Sequence, residues 1–170
     1  HVQNSIKESF GKKAVYIQFP VSTGPGFDGF VDVLTMKYYH FKDANGTRED
    51  LDIPADLMDM AEEARQELIE KAAEYDDTLM EKFFDAGSLT EDEIRQGLSQ
   101  GIRQGEAYPV FCVSAKKDIG VKRVLEFTRR VAPVPVNKDE EPVSIFISKY
   151  AVEQHLGEVS YFKVMSGVLT

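Results

Sequence analysis

The longest patterned stretch of the chain runs from residue 56 to residue 84 and contains neither Gly nor Pro. Its apolar residues recur every three or four positions, so they fall on one side of a helix. These residues are Leu57, Met60, Ala61, Ala64, Leu68, Ala72, Tyr75 and Leu79. The other side, here called the acidic face, consists of Glu63, Glu67, Glu70, Glu74, Asp77 and Glu81. The pattern predicts one long amphipathic helix, with the acidic face either solvated or used for docking.

The residues before this helix predict a short helix and several strands. Apolar residues four apart predict a helix over 1–10, which Gly11 ends. Alternating β-formers predict a strand over 14–19 and a second strand over 30–41. Asn45-Gly46 is a strong reverse-turn signal, so the chain should continue as a β-hairpin towards residues 51–53. Pro54 suits the first turn of the long helix.

The residues after the long helix predict one βα unit. The segment TEDE at 90–93 is a capping box that should open a shorter helix, which its three glycines would weaken. The apolar run 108–113 predicts a strand buried on both faces. A helix should follow over 121–131, with an apolar face formed by Val121, Val124, Leu125 and Thr128. In such α/β sheets the loop after the strand faces the ligand crevice.

Prolines and charges over 133–142 predict a linker. Strands are expected over 143–150 and 159–165, with a turn near Gly157. Two or three strands cannot close a barrel or a sandwich alone. We therefore expect the start of a second domain, and the opening residue His1, in the middle of a helical pattern, indicates a piece of a longer protein.

Charge and cysteine content restrict the function. The net charge is −9, and residues 56–93 alone hold 14 acidic and 3 basic side chains. This balance argues against direct nucleic-acid binding through phosphate neutralisation. Cys112 is the single cysteine, which fits a reducing cytoplasm. No apolar run is long enough to span a membrane, and no signal-peptide pattern opens the chain.

Candidate ligand sites are few. The segment Thr23-Gly24-Pro25-Gly26 could bring backbone amides to a phosphate, or it could form a plain turn. The chain has no Gly-x-x-x-x-Gly-Lys-Ser/Thr motif. His1, His40 and His155 are scattered, so no metal site is expected.

Eight motifs, in order along the chain, resemble those of the bacterial elongation factor G family of translational GTPases. The motifs are QFP at 18–20, FDGFVDV at 27–33, IPADL at 53–57, LMEKFF at 79–84, PVFCVSA at 109–115, GV at 120–121, PVP at 133–135 and GEVSYFKVMSG at 157–167. The resemblance covers nearly the whole chain. It leaves open the main translocase, a divergent paralogue, a tetracycline-resistance protection protein and a release factor of the same class.

The resemblance implies an α/β (α+β) fold built from part of a P-loop GTPase domain. Residues 1–20 and 107–135 would belong to the GTPase domain, the latter as its final strand and helix. Residues 21–106 would form an inserted subdomain of a hairpin sheet plus two helices. Residues 136–170 would be a linker and the first strands of a β-barrel domain.

The same resemblance implies the site residues and partners. Ser114 and Ala115 match the motif whose backbone approaches the guanine base, whereas without the resemblance a plain tight βα turn is the favoured explanation. Glu70, Glu74 and Asp77 match the contact with the ribosomal stalk protein. The basic residues of the last helix and its loop could face ribosomal RNA or simply solvent: Lys116, Lys117, Lys122, Arg123, Arg129 and Arg130. We expect a cytoplasmic monomer with no DNA or membrane partner. A non-enzymatic acidic interaction module is the alternative.

GTP and magnesium are expected for the intact parent and not for this chain. The family's phosphate loop, its switch segments and its Asn-Lys-x-Asp motif would all lie before His1, and phosphoryl transfer needs them. We therefore predict that the 170-residue chain neither binds nor hydrolyses GTP appreciably. Calorimetric titration with GTP tests this, and micromolar affinity would contradict it.

Overall fold

The computed structural model describes residues 2–42, 46–132 and 138–169, and it divides the chain into two compact units, 1–133 and 134–170. The first unit contains, in order, α1 (Val2–Phe10), β1 (Ala14–Tyr16), β2 (Gln18–Pro20), β3 (Gly29–Asp32), β4 (Lys37–Phe41), β5 (Arg48–Leu51), α2 (Ala55–Glu74), α3 (Asp77–Ala86), α4 (Glu91–Gln104), β6 (Tyr108–Val110) and α5 (Val121–Val131). The second unit contains β7 (Ser144–Glu153) and β8 (Gly157–Ser166). The predicted α/β (α+β) class is confirmed. The predicted turn residue Asn45 and residues 133–137 of the predicted linker lie outside the described residues.

The single strand predicted over 14–19 is in fact two strands in two sheets. β1 pairs in parallel with β6, whereas β2 pairs antiparallel with β3. The chain changes partner at the fully buried Ile17, whose N–H donates to Val110 O at 3.1 Å. Its carbonyl accepts from Val33 N at 2.9 Å. The sequence pattern does not show this change, because apolar and polar residue types keep alternating across it, whereas in the structure the adjacent residues Ile17 and Gln18 are both buried.

The predicted strand over 30–41 is a hairpin within the antiparallel sheet, whose strand order is β2-β3-β4-β5. Residues 33–36 turn between β3 and β4, and Met36 has a φ of 51°. The Asp32 carboxylate accepts from Thr35 N at 3.0 Å and holds this turn. Val33 and Leu34 are buried, so the turn is as apolar as a strand and the sequence pattern misses it. The predicted hairpin of β4 and β5 is present.

The long helix predicted over 56–84 is wrong, because α2 ends at Glu74 and α3 begins at Asp77. Asp76 caps α3, and its carboxylate accepts from Thr78 N at 3.0 Å. This bond gives the backbone an alternative to the helical ladder at this position. Leu79 remains buried beyond the break, which is why the apolar period continues past it. Within the predicted apolar face, Met60 is exposed.

The capping box of α4 is confirmed, with Thr90 and Glu93 bonded reciprocally. The glycines of α4 serve packing against α2. A Cβ atom on Gly97 would lie 2.1 Å from the Ala72 carbonyl oxygen, and one on Gly101 would lie 2.6 Å from the Tyr75 ring. The prediction that the glycines only weaken this helix omits their role, since a side chain would prevent the close approach of the two helices.

The predicted burial of β6 and the predicted face of α5 are both wrong. Tyr108 in β6 is 43% exposed and Val113, just after the strand, is 49% exposed. Within the described residues, β6 pairs with β1 on one edge only. In α5 the inward residues are Arg123, Phe127 and Val131, while Leu125 is 65% exposed. Because one of the inward residues is an arginine, a count of hydrophobic residues does not identify the buried face of α5.

The main core of the first unit joins β1, the β3–β4 turn and the inner faces of α2, α4 and α5. A second cluster, formed by Phe30, Tyr39, Phe41 and Ile119, packs the antiparallel sheet under the loop that precedes α5. The two clusters therefore pack the antiparallel sheet against the α/β part of the first unit.

The second unit is a β-hairpin, with Ile147 opposite Phe162 and Glu153 opposite Gly157. The pairing shifts between Ile147 and Lys149. Large apolar side chains of both strands are exposed, among them Phe146 and Phe162. Across the described ranges, no helix combines the length and the apolar character that a membrane crossing requires.

Candidate functional site

The loop after β6 carries Ser114 and Ala115, as the sequence predicts for a crevice-facing loop. Ser114 and Ile119 exchange two backbone hydrogen bonds of 3.0 Å each, which close the loop on itself. Gly120 has a φ of 76°, and a Cβ atom there would lie 2.7 Å from the Cys112 carbonyl oxygen. Ser114 is half-buried and Ala115 is exposed. The exposed backbone is compatible with a bound base, and guanine recognition by these residues stays a prediction.

The loop over 22–28 lies against the same turn. Lys117 Nζ donates to the carbonyl oxygens of Pro25 and Phe27 at 2.7 and 3.1 Å. The Ser22 hydroxyl lies within hydrogen-bond distance of both Gly26 O and Asp28 Oδ1. A groove of about 730 Å³ runs beside the two loops. Since Lys117 is engaged by loop carbonyls, it ties this glycine-containing loop down rather than standing free for an anion.

Cys112 is half-buried and lies between β6 and Ser114. Burial raises the pKa of the Cys112 thiol to about 11, so the thiol is protonated at neutral pH. Its backbone N–H donates to Gln18 Oε1 at 3.0 Å. The residue is a small packing element and lacks the electropositive surroundings of a reactive thiol.

All six residues of the acidic face are exposed. The structure brings Glu70 and Glu74 to adjacent turns of α2 and places Asp77 in the first turn of α3. Glu70 accepts from Gln66 Nε2 at 3.1 Å, and Glu74 forms an ion pair with Lys71 at 2.5 Å. The three predicted docking carboxylates therefore belong to two helices that meet at a capped corner.

A groove of about 570 Å³ runs alongside this corner. One wall carries the carboxylates of Glu67, Glu70 and Glu74, and residues from α1 and the turn after it contribute Lys7 and Lys12. The surface beside the acidic face is thus not uniformly negative. A partner that fits it would carry mainly positive charge with some negative charge at its edge.

The ion pair of Asp32 and Arg123, which is buried among the described residues, was not predicted. Asp32 is 0% exposed and Arg123 is 6% exposed, and they form a two-point ion pair. Arg123 Nε donates to Asp32 Oδ2 at 2.7 Å, and its Nη2 donates to Oδ1 at 3.0 Å. Gln18 Nε2 donates to the same carboxylate at 3.1 Å. These bonds connect β2, β3 and α5.

Arg123 was predicted to lie on a basic helix face that could meet ribosomal RNA, and for this residue the prediction is wrong. Its partner Asp32 lies 91 positions earlier and draws it inward. The sequence held one signal: Asp32 is the only charged residue in the apolar run 30–34. A charge placed in a buried run requires a partner. Among the described residues, no group of three or more His, Cys, Asp or Glu side chains is placed to hold a metal ion.

Comparison with known proteins gives a likeness in fold. No protein-family model matches the chain. A crystal structure from Thermus thermophilus, of the protein designated ttk003000868, matches with a TM-score of 0.77 over 98% of this chain at 24% identity. This chain covers 25% of the length of that one. The chain therefore shares its fold with about a quarter of a longer bacterial protein.

Proposed function

We propose that this chain is part of a ribosome-dependent translational GTPase that resembles elongation factor G, and that it supplies an acidic docking surface for the ribosomal stalk protein. The observation that carries the proposal is the exposed corner of Glu70, Glu74 and Asp77. Carboxylates on rigid helices attract lysines on a partner and raise the encounter rate. The ordered motifs over 18–167 supply the link to translation.

In the intact parent, the proposed activity is GTP hydrolysis with magnesium, in support of tRNA and mRNA translocation. Ser114 and Ala115 would approach the guanine base through the backbone of the loop after β6. The proposed setting is the cytoplasm, where the parent would act as a monomer on the ribosome. The exposed basic residues Lys116, Lys122 and Arg129 would face ribosomal RNA there.

The test is the replacement of Glu70, Glu74 and Asp77 by Lys in the full-length parent. We expect stalk binding and stalk-dependent stimulation of GTP hydrolysis to fall about tenfold or more, mainly through a slower association rate. The measurements are the association rate at several salt concentrations and the stimulated hydrolysis rate. In wild type the association rate should fall steeply with added salt, and in the variant this dependence should be lost.

The matched control replaces Glu8, Glu140 and Glu158 by Lys, which changes the net charge equally at exposed sites outside residues 56–93. This control should keep stalk binding near the wild-type value. Unchanged stalk binding and stimulation in the corner variant would contradict the docking role. An equal loss in both variants would indicate an effect of net charge alone.

A further inference from the structure

A third groove, of about 560 Å³, lies where α4 meets the end of α5. Along α4 it is lined by Asp92, Arg95, Gln96, Ser99, Gln100 and Arg103, and Asp76 before α3 and Arg130 of α5 complete the lining. The loop after β6 does not contribute to it, and Asp76 borders the corner that carries Asp77. The groove brings together two cationic helix ends that are 27 positions apart in the sequence.

At one end of this groove, the charged and polar side chains already have protein partners. Arg95 Nη1 donates to Asp92 Oδ1 at 2.9 Å, and Arg95 also pairs with Glu91. Gln96 Nε2 donates to Asp76 Oδ2 at 3.1 Å. These charges have protein partners, so they have little capacity left for a ligand.

At the other end of the groove, two arginines have no ion-pair partner among the described residues. Arg103 and Arg130 are exposed and form no ion pair with any residue that the structure describes. Ser99 and Gln100 lie one turn before Arg103 and offer a hydroxyl and an amide. A basic residue near a helix carboxyl end is stabilised by the helix dipole, which accounts for each arginine singly. The dipole does not account for two unpaired guanidinium groups lining one concavity on a protein of net charge −9.

The geometry points to an anion site at this end of the groove, which binds the phosphate group of a small phosphorylated molecule through Arg103 and Arg130. Planar guanidinium groups recognise phosphate oxygens with paired, charge-assisted hydrogen bonds. The volume is that of a small-ligand pocket. A long polyanion is disfavoured, because it would extend from this end of the groove along the carboxylates of Asp76 and Asp92, which belong to the acidic region 56–93.

The experiment titrates the 170-residue chain with inorganic phosphate, pyrophosphate and glycerol 3-phosphate at low ionic strength, followed by calorimetry and by the arginine Nε–H signals in NMR spectra. We expect saturable one-to-one binding, with movement of the Arg103 and Arg130 signals. The relative affinities distinguish a free phosphate, a pyrophosphate group and a phosphate monoester as the preferred ligand.

The variant Arg103→Gln/Arg130→Gln should weaken binding of the tightest of the three probes about tenfold or more. The matched control, Lys149→Gln/Lys163→Gln, also removes two charges, at exposed residues outside the groove, and it should stay within about twofold of wild type. The absence of saturable binding for all three probes would overturn the proposal. An equal loss of affinity in the control would overturn it too, since the binding would then depend on overall charge.

Discussion

Replacing Asp32 by Ala is expected to lower the free energy of unfolding by about 3–5 kcal/mol, because the buried charge of Arg123 would lose its partner. The change also removes the acceptor for Gln18 Nε2 and for Thr35 N, both at hydrogen-bond distance from this carboxylate. Unsatisfied buried donors add to the loss. Urea unfolding followed by circular dichroism gives the free energy, and the slope of the transition shows whether unfolding stays two-state.

Deprotonation cannot relieve the unpaired arginine. Burial lowers the pKa of Arg123, but the hydrogen bond and the charge of Asp32 outweigh burial, and the net effect raises this pKa above its ordinary value. Without Asp32 the guanidinium still stays charged near neutral pH, because arginine starts far above it. The molecule must therefore bury an unpaired cation or turn α5 outward.

Two further variants test whether the loss of stability comes from the buried charge of Arg123. Asp52→Ala removes an exposed ion pair with Lys37, of 2.9 Å, and should change stability by less than about 1 kcal/mol. The double variant Asp32→Leu/Arg123→Met removes both charges and should recover part of the loss, since apolar residues can replace a buried ion pair. The recovery is incomplete because Gln18 Nε2 and Thr35 N still lack their acceptor. A loss below about 1 kcal/mol for Asp32→Ala would contradict the account of this buried network.

Local signals were sufficient for much of this fold. The reciprocal bonding of Thr90 and Glu93 follows from a four-residue motif. Gly87 adopts the left-handed conformation that ends α3, which is the usual role of a glycine at the end of a helix. In each case the physical cause lies within a few residues of its effect.

The errors have causes that lie farther along the chain. Arg123 faces inward because of Asp32, and the β3–β4 turn is apolar because it packs under α2, so hydrophobic counting misplaces both. The division of 14–19 between two sheets depends on Val33 and Val110. Exposure of the acidic face could be predicted from charge. The convergence of Arg103 and Arg130 could not, because it requires the packing of α4 on α5.

The break between α2 and α3 shows how a local signal can be overruled by a longer pattern. Asp76 followed by Thr78 is a usable capping signal, and it lies within an uninterrupted apolar period. The period continues because Leu79 returns to the same core as Leu68 after the corner. The consequence for function is that Asp77 stands on a different helix from Glu70, so the proposed docking surface is a corner and not a stripe.

Replacing Gly97 by Ala is expected to lower the free energy of unfolding by about 2 kcal/mol or more. Intrinsic helix propensity alone predicts the opposite sign, a gain of about 1 kcal/mol, because Ala is the better helix former. The added methyl group, however, would lie 2.1 Å from the Ala72 carbonyl oxygen and 2.8 Å from its carbon. These are backbone atoms of α2, which cannot rotate away as a side chain can, and overpacking of this kind costs about 1–3 kcal/mol. Urea unfolding decides the sign.

The same chemical change at Gly26 is the matched control. No atom lies within 4 Å of a Cβ placed there, and its φ is not positive. Gly26→Ala should therefore leave stability unchanged or raise it by up to about 1 kcal/mol, through the lower entropy of the unfolded chain. If Gly97→Ala behaved like Gly26→Ala, the helices α2 and α4 would have room to separate without loss. The close approach at Ala72 would then not be what requires glycine in the middle of α4. The packing of α4 against α2 would also hold the corner that carries Glu74 and Asp77 less rigidly.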